Sequence, residues 1–184
     1  MPRAKAYPDR NEILRDLDYD TKTGAFTWKT RPSTEHRAAS FNANYAGQEA
    51  GNVDISTGYR RIRLRGRIRF AHRLAWIVVH GPIPDGYDID HKNMDRADNS
   101  IENLRLATNS QNQANSYGNG LIKSGLKGAY TANAGRTWFS QIMSAGKRVY
   151  LGSFSTKEAA AAAYYRAAKR LNGEFARGAN VSDL

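Results

Sequence analysis

The chain has 184 residues, a formal net charge of +11 at pH 7 and no cysteine. This length allows one ordinary domain or two small ones, and the lack of cysteine excludes disulfides, cysteine-based zinc sites and cysteine nucleophiles. The basic excess predicts a polyanionic partner, for which nucleic acid is the first choice. The polar opening and short apolar runs predict neither a signal peptide nor a membrane span, so we expect a cytoplasmic protein with no membrane partner.

The first 51 residues predict short elements. Residues 11–18 carry apolar residues at helical spacing, residues 20–24 predict a turn, and residues 25–29 alternate as a strand. The stretch 30–51 is polar and weakly patterned, which is typical of a loop.

A dense run of arginines follows. Between residues 59 and 70, arginine alternates with apolar residues or glycine, so a period of two predicts a strand or hairpin with every arginine on one face. Gly66 predicts a turn or a bulge. Five like charges in a row repel, and arginine matches phosphate geometry, so phosphate contact is favoured over plain solvation. The candidates are Arg61, Arg63, Arg65, Arg67 and Arg69.

Residues 72–79 predict a buried helix that ends before Gly81. For His72 we expect a structural or phosphate-contacting role, because nothing beside it in the sequence resembles a metal pair. His36 and His80 have no informative context, and we expect both to be ordinary.

The next stretch predicts a ββα unit. Residues 87–91 alternate as a strand, a polar loop follows, and residues 104–107 form a short return strand. Thr108 and Gln111 then match a capping box, which marks the start of a helix.

Three side chains of this unit suit phosphodiester hydrolysis. Asp90 and His91 end its first strand, and Asn112 lies in the first turn of its helix. A carboxylate and an amide oxygen are hard ligands that suit Mg²⁺ or Mn²⁺ better than Zn²⁺, and an imidazole can take a proton from an attacking water. The alternative is that these residues only build a polar hairpin.

Residues 71–116 resemble the HNH nucleases, in particular the homing endonucleases encoded by phages and introns. The matching motifs are residues 71–76 (AHRLAW), 81–86 (GPIPDG), 89–91 (IDH), 98–99 (DN), 101–105 (IENLR) and 110–112 (SQN).

The resemblance implies a role for each matching residue. It makes His91 the general base, gives one divalent metal to Asp90 and Asn112, and makes Asn103 the residue whose side chain pins the loop. Because the last position is asparagine rather than the histidine of zinc-binding members, it implies Mg²⁺ or Mn²⁺. Asn115, one turn further on, is the alternative ligand if the helix register differs.

The remainder predicts a second small domain. Residues 117–125 are rich in glycine and predict a linker, and three strands follow near residues 127–131, 137–144 and 147–153. A helix rich in alanine then starts at a capping box of Ser155 and Glu158 and ends at Gly173; its small side chains allow close approach to a sheet.

This βββα order resembles the APETALA/ethylene-response-factor DNA-binding domain over residues 124–181. The matching residues are Gly128, Trp138, 150–154, Thr156, 158–160, 163–164, 167–168 and 171–173. The resemblance implies that the sheet lies in the major groove of DNA. The contacts that it implies are Lys127, Tyr130, Arg136, Trp138, Gln141, Lys147, Arg148 and Tyr150. Lys127 and Tyr150 replace the usual arginine and tryptophan, which reduces bidentate reading of guanine.

We therefore predict an α+β protein with a β-rich N-terminal region leading into an HNH ββα-metal unit, then a three-stranded antiparallel sheet packed on one helix. The predicted domains are residues 1–116, with the ββα unit at 87–116, a linker at 117–125, and residues 126–184. The predicted function is a phage or mobile-element endonuclease that nicks double-stranded DNA with one metal ion and takes no small-molecule substrate. The alternatives are a DNA-binding regulator without cleavage and an RNA-binding module.

Overall fold

A computed structural model describes residues 7–115, 125–132, 136–144 and 146–176. The chain divides into two compact units, Met1–Ala107 (the N-terminal unit) and Thr108–Leu184 (the C-terminal unit). Both units mix helices with small sheets, in agreement with the predicted combination of α and β elements. None of the helices within the described ranges is long and apolar enough to cross a membrane.

The N-terminal unit opens with a short helix and a strand pair. Helix α1 (Arg10–Asp16) begins at a reciprocal capping box between Asp9 and Glu12. Strand β1 (Leu17–Tyr19) pairs antiparallel with β2 (Phe26–Trp28). The predicted helix therefore ends two residues early, because Leu17 and the residue after it join the sheet.

Helix α2 (Ala38–Tyr45) occupies the stretch that was expected to be a loop, so that expectation was wrong. The ring of Phe41 packs edge-on against Trp28 at 5.5 Å, and the side chain of Asn42 bonds to both backbone groups of Arg31. These contacts are tertiary, and only Ala38 of the helix is buried, which explains why no helical periodicity marks it.

A three-stranded antiparallel sheet follows. Its strands are β3 (Asn52–Val53), β4 (Arg60–Leu64) and β5 (Arg67–Phe70), in that order. A two-residue turn of Arg65 and Gly66 joins β4 to β5, with φ of 48° and 75°. The turn predicted at Gly66 is confirmed.

The five arginines do not share one face, so that prediction was wrong. Cross-strand partners of an antiparallel pair lie on the same face. A turn of two residues makes odd-numbered positions of β4 face the same way as even-numbered positions of β5. The partners are Arg61 with Phe70, Ile62 with Arg69, Arg63 with Ile68, and Leu64 with Arg67.

Helix α3 (Ala71–His80) follows β5 directly and confirms the predicted buried helix. Strand β6 (Tyr87–His91) then pairs with β7 (Leu104–Thr108), and a 3-10 helix (Ile101–Asn103) leads into β7. The largest apolar side chains that are fully buried in this unit are Phe26, Ile13, Leu17, Ile62 and Leu74.

The C-terminal unit begins with α4 (Asn109–Asn115) and continues with β8 (Tyr130–Ala132), β9 (Thr137–Ser144) and β10 (Lys147–Phe154). The three strands form one antiparallel sheet in the order β10-β9-β8. Helix α5 (Lys157–Asn172) completes the predicted order of three strands and a helix.

Close packing joins α5 to its sheet. Ala160 and Ala161 are buried against Trp138 and Phe154. A Cβ on Gly128 would lie 2.0 Å from Cγ of Tyr164, so this position admits only glycine. Small side chains thus allow the close approach that the sequence predicted.

The N-cap of α5 is Thr156, whose hydroxyl accepts a hydrogen bond from the backbone of Ala159. The predicted cap at Ser155 was therefore wrong by one residue. Gly173 ends the helix as predicted. Most of the predicted linker 117–125 lies outside the described residues, and the predicted domain boundaries stay predictions.

The turn before β2 supports the loop between β6 and β7. Gly24 has a φ of 75°, and a Cβ there would lie 2.3 Å from backbone atoms of Asn99 and Ser100. The hydroxyl of Tyr19 also donates a hydrogen bond to the carbonyl of Asn99 at 2.8 Å. Only glycine allows this close approach.

We predict that Gly24→Ala destabilises the protein by more than about 4 kcal/mol, because the methyl group adds a backbone clash to the left-handed strain. Gly47 is the matched control, since its φ is 76° and nothing lies within 4 Å of the added Cβ. Gly47→Ala should cost only about 1–2 kcal/mol. Urea unfolding of both variants measures the difference, and equal costs would contradict the close approach.

Candidate active site

Strand β6 places Asp90 and His91 at its end, and both side chains are buried, with 6% and 4% of their surface exposed. Strand β7 pairs with β6, and α4 follows it in the chain. Thr108 and Gln111 bond reciprocally to each other's backbone N–H groups. The predicted strand, loop, strand and helix are confirmed as elements.

Asn103 holds the loop between the two strands. Its Oδ1 accepts a hydrogen bond from the backbone of Asn93 at 3.0 Å, and its Nδ2 donates to the carbonyl of Asp98 at 2.8 Å. Lys92 N–H also donates to the carbonyl of Asn103 at 2.8 Å. One buried amide thus ties both sides of the loop, which is a positioning role.

A buried asparagine orients His91. Nε2 of His91 lies 3.3 Å from Oδ1 of Asn99, and Nδ2 of Asn99 donates to the carbonyl of Ala97 at 2.8 Å. Because the amide nitrogen is engaged, Oδ1 faces the ring and accepts its proton. In the neutral ring Nε2 then carries the hydrogen, and Nδ1 is the basic nitrogen.

The surroundings of His91 favour the neutral imidazole. Burial lowers the pKa of His91 below its usual value, while the hydrogen bond to Asn99 and the carboxylates of Asp90, Asp98 and Asp95 act in the opposite direction. Burial prevails, so the ring is neutral at pH 7. The nearby carboxylates would stabilise an imidazolium if the ring took up a proton.

Arg105 holds Asp90. Both Nε and Nη2 of its guanidinium lie 2.9 Å from Oδ2 of Asp90, and the Arg105 side chain is only 10% exposed. Sequence reasoning assigned no role to Arg105 or Asn99, although both lie in the motifs that carry the HNH resemblance. Position within those motifs was the only signal that pointed to them.

His72 packs against His91 in the core. The two rings meet edge-on with centroids 5.0 Å apart, and the ring of Tyr59 lies 5.1 Å from His72 and 5.9 Å from His91. Burial, and then the nearby His91 and Arg73, lower the pKa of His72 to about 3. The fold thus brings His72 into contact with rings that are distant in sequence, and its buried packing is compatible with the structural role expected for it.

The second predicted metal ligand lies in the C-terminal unit. Asn112 is half-buried on α4, and Asn115, the alternative, is 5% exposed at the end of that helix. Within the described ranges, no group of three histidine or acidic side chains is placed to hold a metal. A carboxylate and an amide are hard oxygen donors of the kind that suits a magnesium-like ion, and the assignment of such an ion to Asp90 and Asn112 stays a prediction.

The arginines of β4, β5 and their turn have different partners. Arg65 binds Asp16 and Glu12 with contacts of 2.7 and 3.1 Å, and Arg61 pairs with Asp54. Arg69 is 9% exposed, and its guanidinium lies over the ring of Tyr7. Arg63 and Arg67 are exposed and have no acidic partner in the described part of the chain. The predicted phosphate contacts are therefore not equivalent.

The predicted DNA contacts of the C-terminal unit also lie in different places. Register places Tyr130, Gln141, Arg148 and Tyr150 on the open face of the sheet. Trp138 lies on the opposite face, where it is partly buried and packs against the small core of this unit, which favours a core role over a surface contact. Lys127 donates a hydrogen bond to the carbonyl of Ala114 at 2.8 Å, whereas Arg136 and Lys147 are exposed at the ends of strands.

Comparison with known proteins identifies the class. Residues 69–114 match the family model of the HNH endonucleases, the stretch that contains the site just described. Protein 3.8 of Escherichia phage T7 is 34% identical over 106 residues, which are 58% of this chain and 87% of that protein. The chain belongs to the HNH endonuclease family.

A solved structure of the HNH homing endonuclease I-HmuI, which binds and cleaves DNA, is also similar. The similarity has a TM-score of 0.39 and 23% sequence identity, and it covers 58% of this chain. The chain spans 56% of that protein's length.

We predict that Arg105→Met destabilises the protein by about 3–5 kcal/mol, because it leaves the buried carboxylate of Asp90 without its partner. The double variant Asp90→Leu/Arg105→Met should recover most of that loss. Asp18 is the control: its pair with Lys29 is exposed, so Asp18→Asn should cost less than about 1 kcal/mol. Urea unfolding at pH 7 measures all three, and a loss no larger than that of Asp18→Asn would contradict a buried pair.

Proposed function

We propose that the protein is a DNA endonuclease that hydrolyses one phosphodiester bond of duplex DNA at each visit. The observation that carries this proposal is the buried His91, fixed by Asn99 through Nε2 and directly following the carboxylate of Asp90. Membership in the HNH endonuclease family supports it.

His91 is the general base. Its neutral ring takes a proton from the attacking water at Nδ1, because Nε2 already carries the hydrogen directed at Asn99. The carboxylates of Asp90, Asp95 and Asp98 favour the imidazolium that results. Asn99 is a positioning residue, since it fixes the ring without touching the reacting atoms.

Asp90 and Asn112 would hold one Mg²⁺ or Mn²⁺ ion, with Asn115 as the alternative to Asn112. When bound, such a cation offsets negative charge on the phosphate and on the leaving 3′ oxygen. Arg105 orients the carboxylate of Asp90 through Oδ2. The products are a 5′-phosphate and a 3′-hydroxyl, as the HNH resemblance implies, and one site cuts one strand.

The C-terminal unit binds duplex DNA through the open face of its sheet. Tyr150 is 61% exposed and Tyr130 is 40% exposed there, and Arg148 lies on the same strand and face as Tyr150. A face that carries basic and aromatic side chains together can contact the phosphates and sugars of the DNA backbone. Tethering this unit to the nuclease raises the local concentration of each for its site.

We predict that His91→Ala keeps DNA binding and lowers the nicking rate by about 10²–10⁴-fold, because the base is lost. Conversion of supercoiled plasmid to nicked circle, with Mg²⁺ or Mn²⁺ and with a chelator, measures the rate. His36→Ala, which removes an exposed histidine, should nick like wild type. Equal nicking by wild type and His91→Ala would refute the base assignment. Binding by wild type without nicking in either metal would favour the non-cleaving regulator.

We predict that Arg148→Gln lowers the slope of log affinity against log salt by about 1 on duplex DNA, because one phosphate contact is lost. Arg170→Gln is the matched control, since Arg170 is exposed on α5 rather than on the sheet. Fluorescence anisotropy at several salt concentrations measures both slopes. An equal effect of the two substitutions would contradict the sheet as the binding face, and competition by RNA as strong as by duplex DNA would favour the RNA-binding module.

A further inference from the structure

One face of the β4–β5 hairpin carries exposed apolar side chains beside arginines. Ile68 is 54% exposed and Phe70 is 37% exposed. The register pairs Ile68 with Arg63 and Phe70 with Arg61, so the four side chains share this face. We call these four residues the hairpin face.

Phe70 packs on the buried ring of His72, but the core does not account for Ile68. The buried residues of β4, Ile62 and Leu64, lie on the opposite face of the hairpin. The solvent face of an antiparallel hairpin normally carries polar residues, and Ile68 departs from that pattern. Apolar side chains between arginines instead suit duplex DNA. Its outer phosphates are negatively charged and match the arginines, and its stacked bases are apolar on their faces and match Ile68.

The hairpin face is continuous with the catalytic histidine. The ring of Phe70 lies 5.4 Å from that of Tyr59, and Tyr59 lies 5.9 Å from His91. Phe70 also stacks on His72 at 5.5 Å. DNA that brings a phosphate to His91 therefore also lies near the hairpin face.

We propose that Ile68 is an apolar wedge that enters a base step of duplex DNA beside the phosphate to be cut, while Arg63 binds a flanking phosphate. This inference rests on the proposed function and adds how the substrate is deformed. Partial unstacking by an inserted apolar side chain kinks the duplex. Because His91 is only 4% exposed, a kinked backbone reaches it more readily than a straight one. The wedge also predicts a preference for TA and CA steps, which unstack easily.

The test measures bending and nicking separately in the full-length protein. A duplex of about 30 bp with TA and CA steps carries a fluorophore at each end, and energy transfer reports bending in the presence of a chelator. Ile68→Ser should lose the bend and keep the salt slope, whereas Arg63→Gln should lower the slope by about 1. Ile68→Leu should keep the bend.

The matched control is Ile55→Ser, because Ile55 is fully exposed outside this face. It should bend and nick DNA like wild type. Ile68→Ser should nick matched duplex more slowly than wild type. A mismatch at the cut site, which unstacks without a wedge, should restore its nicking rate, which a misfolded variant would not show.

The outcomes separate the wedge from the nuclease. A bend retained by Ile68→Ser overturns the wedge, even if wild type nicks normally. Loss of the bend in Ile68→Ser but not in Ile68→Leu supports it. Failure of wild type to nick refutes the proposed function, and the bending measurement still decides whether the hairpin face deforms DNA.

Discussion

The fixed position of Asn99 is the constraint on which the candidate site depends. Its side chain is 1% exposed, and the bond from Nδ2 to the carbonyl of Ala97 turns Oδ1 toward His91. Its carbonyl accepts the hydroxyl of Tyr19, 80 residues away, and Gly24 approaches it too closely for any Cβ. The β1–β2 strand pair therefore helps to orient His91 through Asn99, so the strands of the site depend on the rest of the N-terminal unit.

Burial determines what the charged groups of the site can do. It lowers the pKa of both His72 and His91, so two imidazoles in contact are both neutral at pH 7. The carboxylates near His91 act in the opposite direction, and they stabilise the proton that a general base must hold briefly. Arg105 compensates the buried charge of Asp90, since an unpaired carboxylate at 6% exposure would be costly.

Local sequence patterns predicted the elements of the site but not all of its contacts. The ββα elements carry strand alternation and a capping box, so the sequence alone assigns Asp90, His91 and Asn112 to their elements. The role of Asn99 and the ion pair of Arg105 could not be predicted in this way, because both depend on contacts across the loop and the strand pair. Helix α2 was missed for the same reason, since the contact of Phe41 with Trp28 stabilises it without a periodic apolar face.

The arginines show why charge alone does not identify a binding face. A two-residue turn reverses the alternation, so Arg61 and Arg63 face one way while Arg67 and Arg69 face the other. Acidic residues of α1 then engage Arg65, and Tyr7 packs against Arg69. A net charge of +11 predicts that the protein meets a polyanion. The length of the turn and the internal acidic and aromatic partners determine which arginines can bind a polyanion. Arg63 remains exposed on the same face as Ile68.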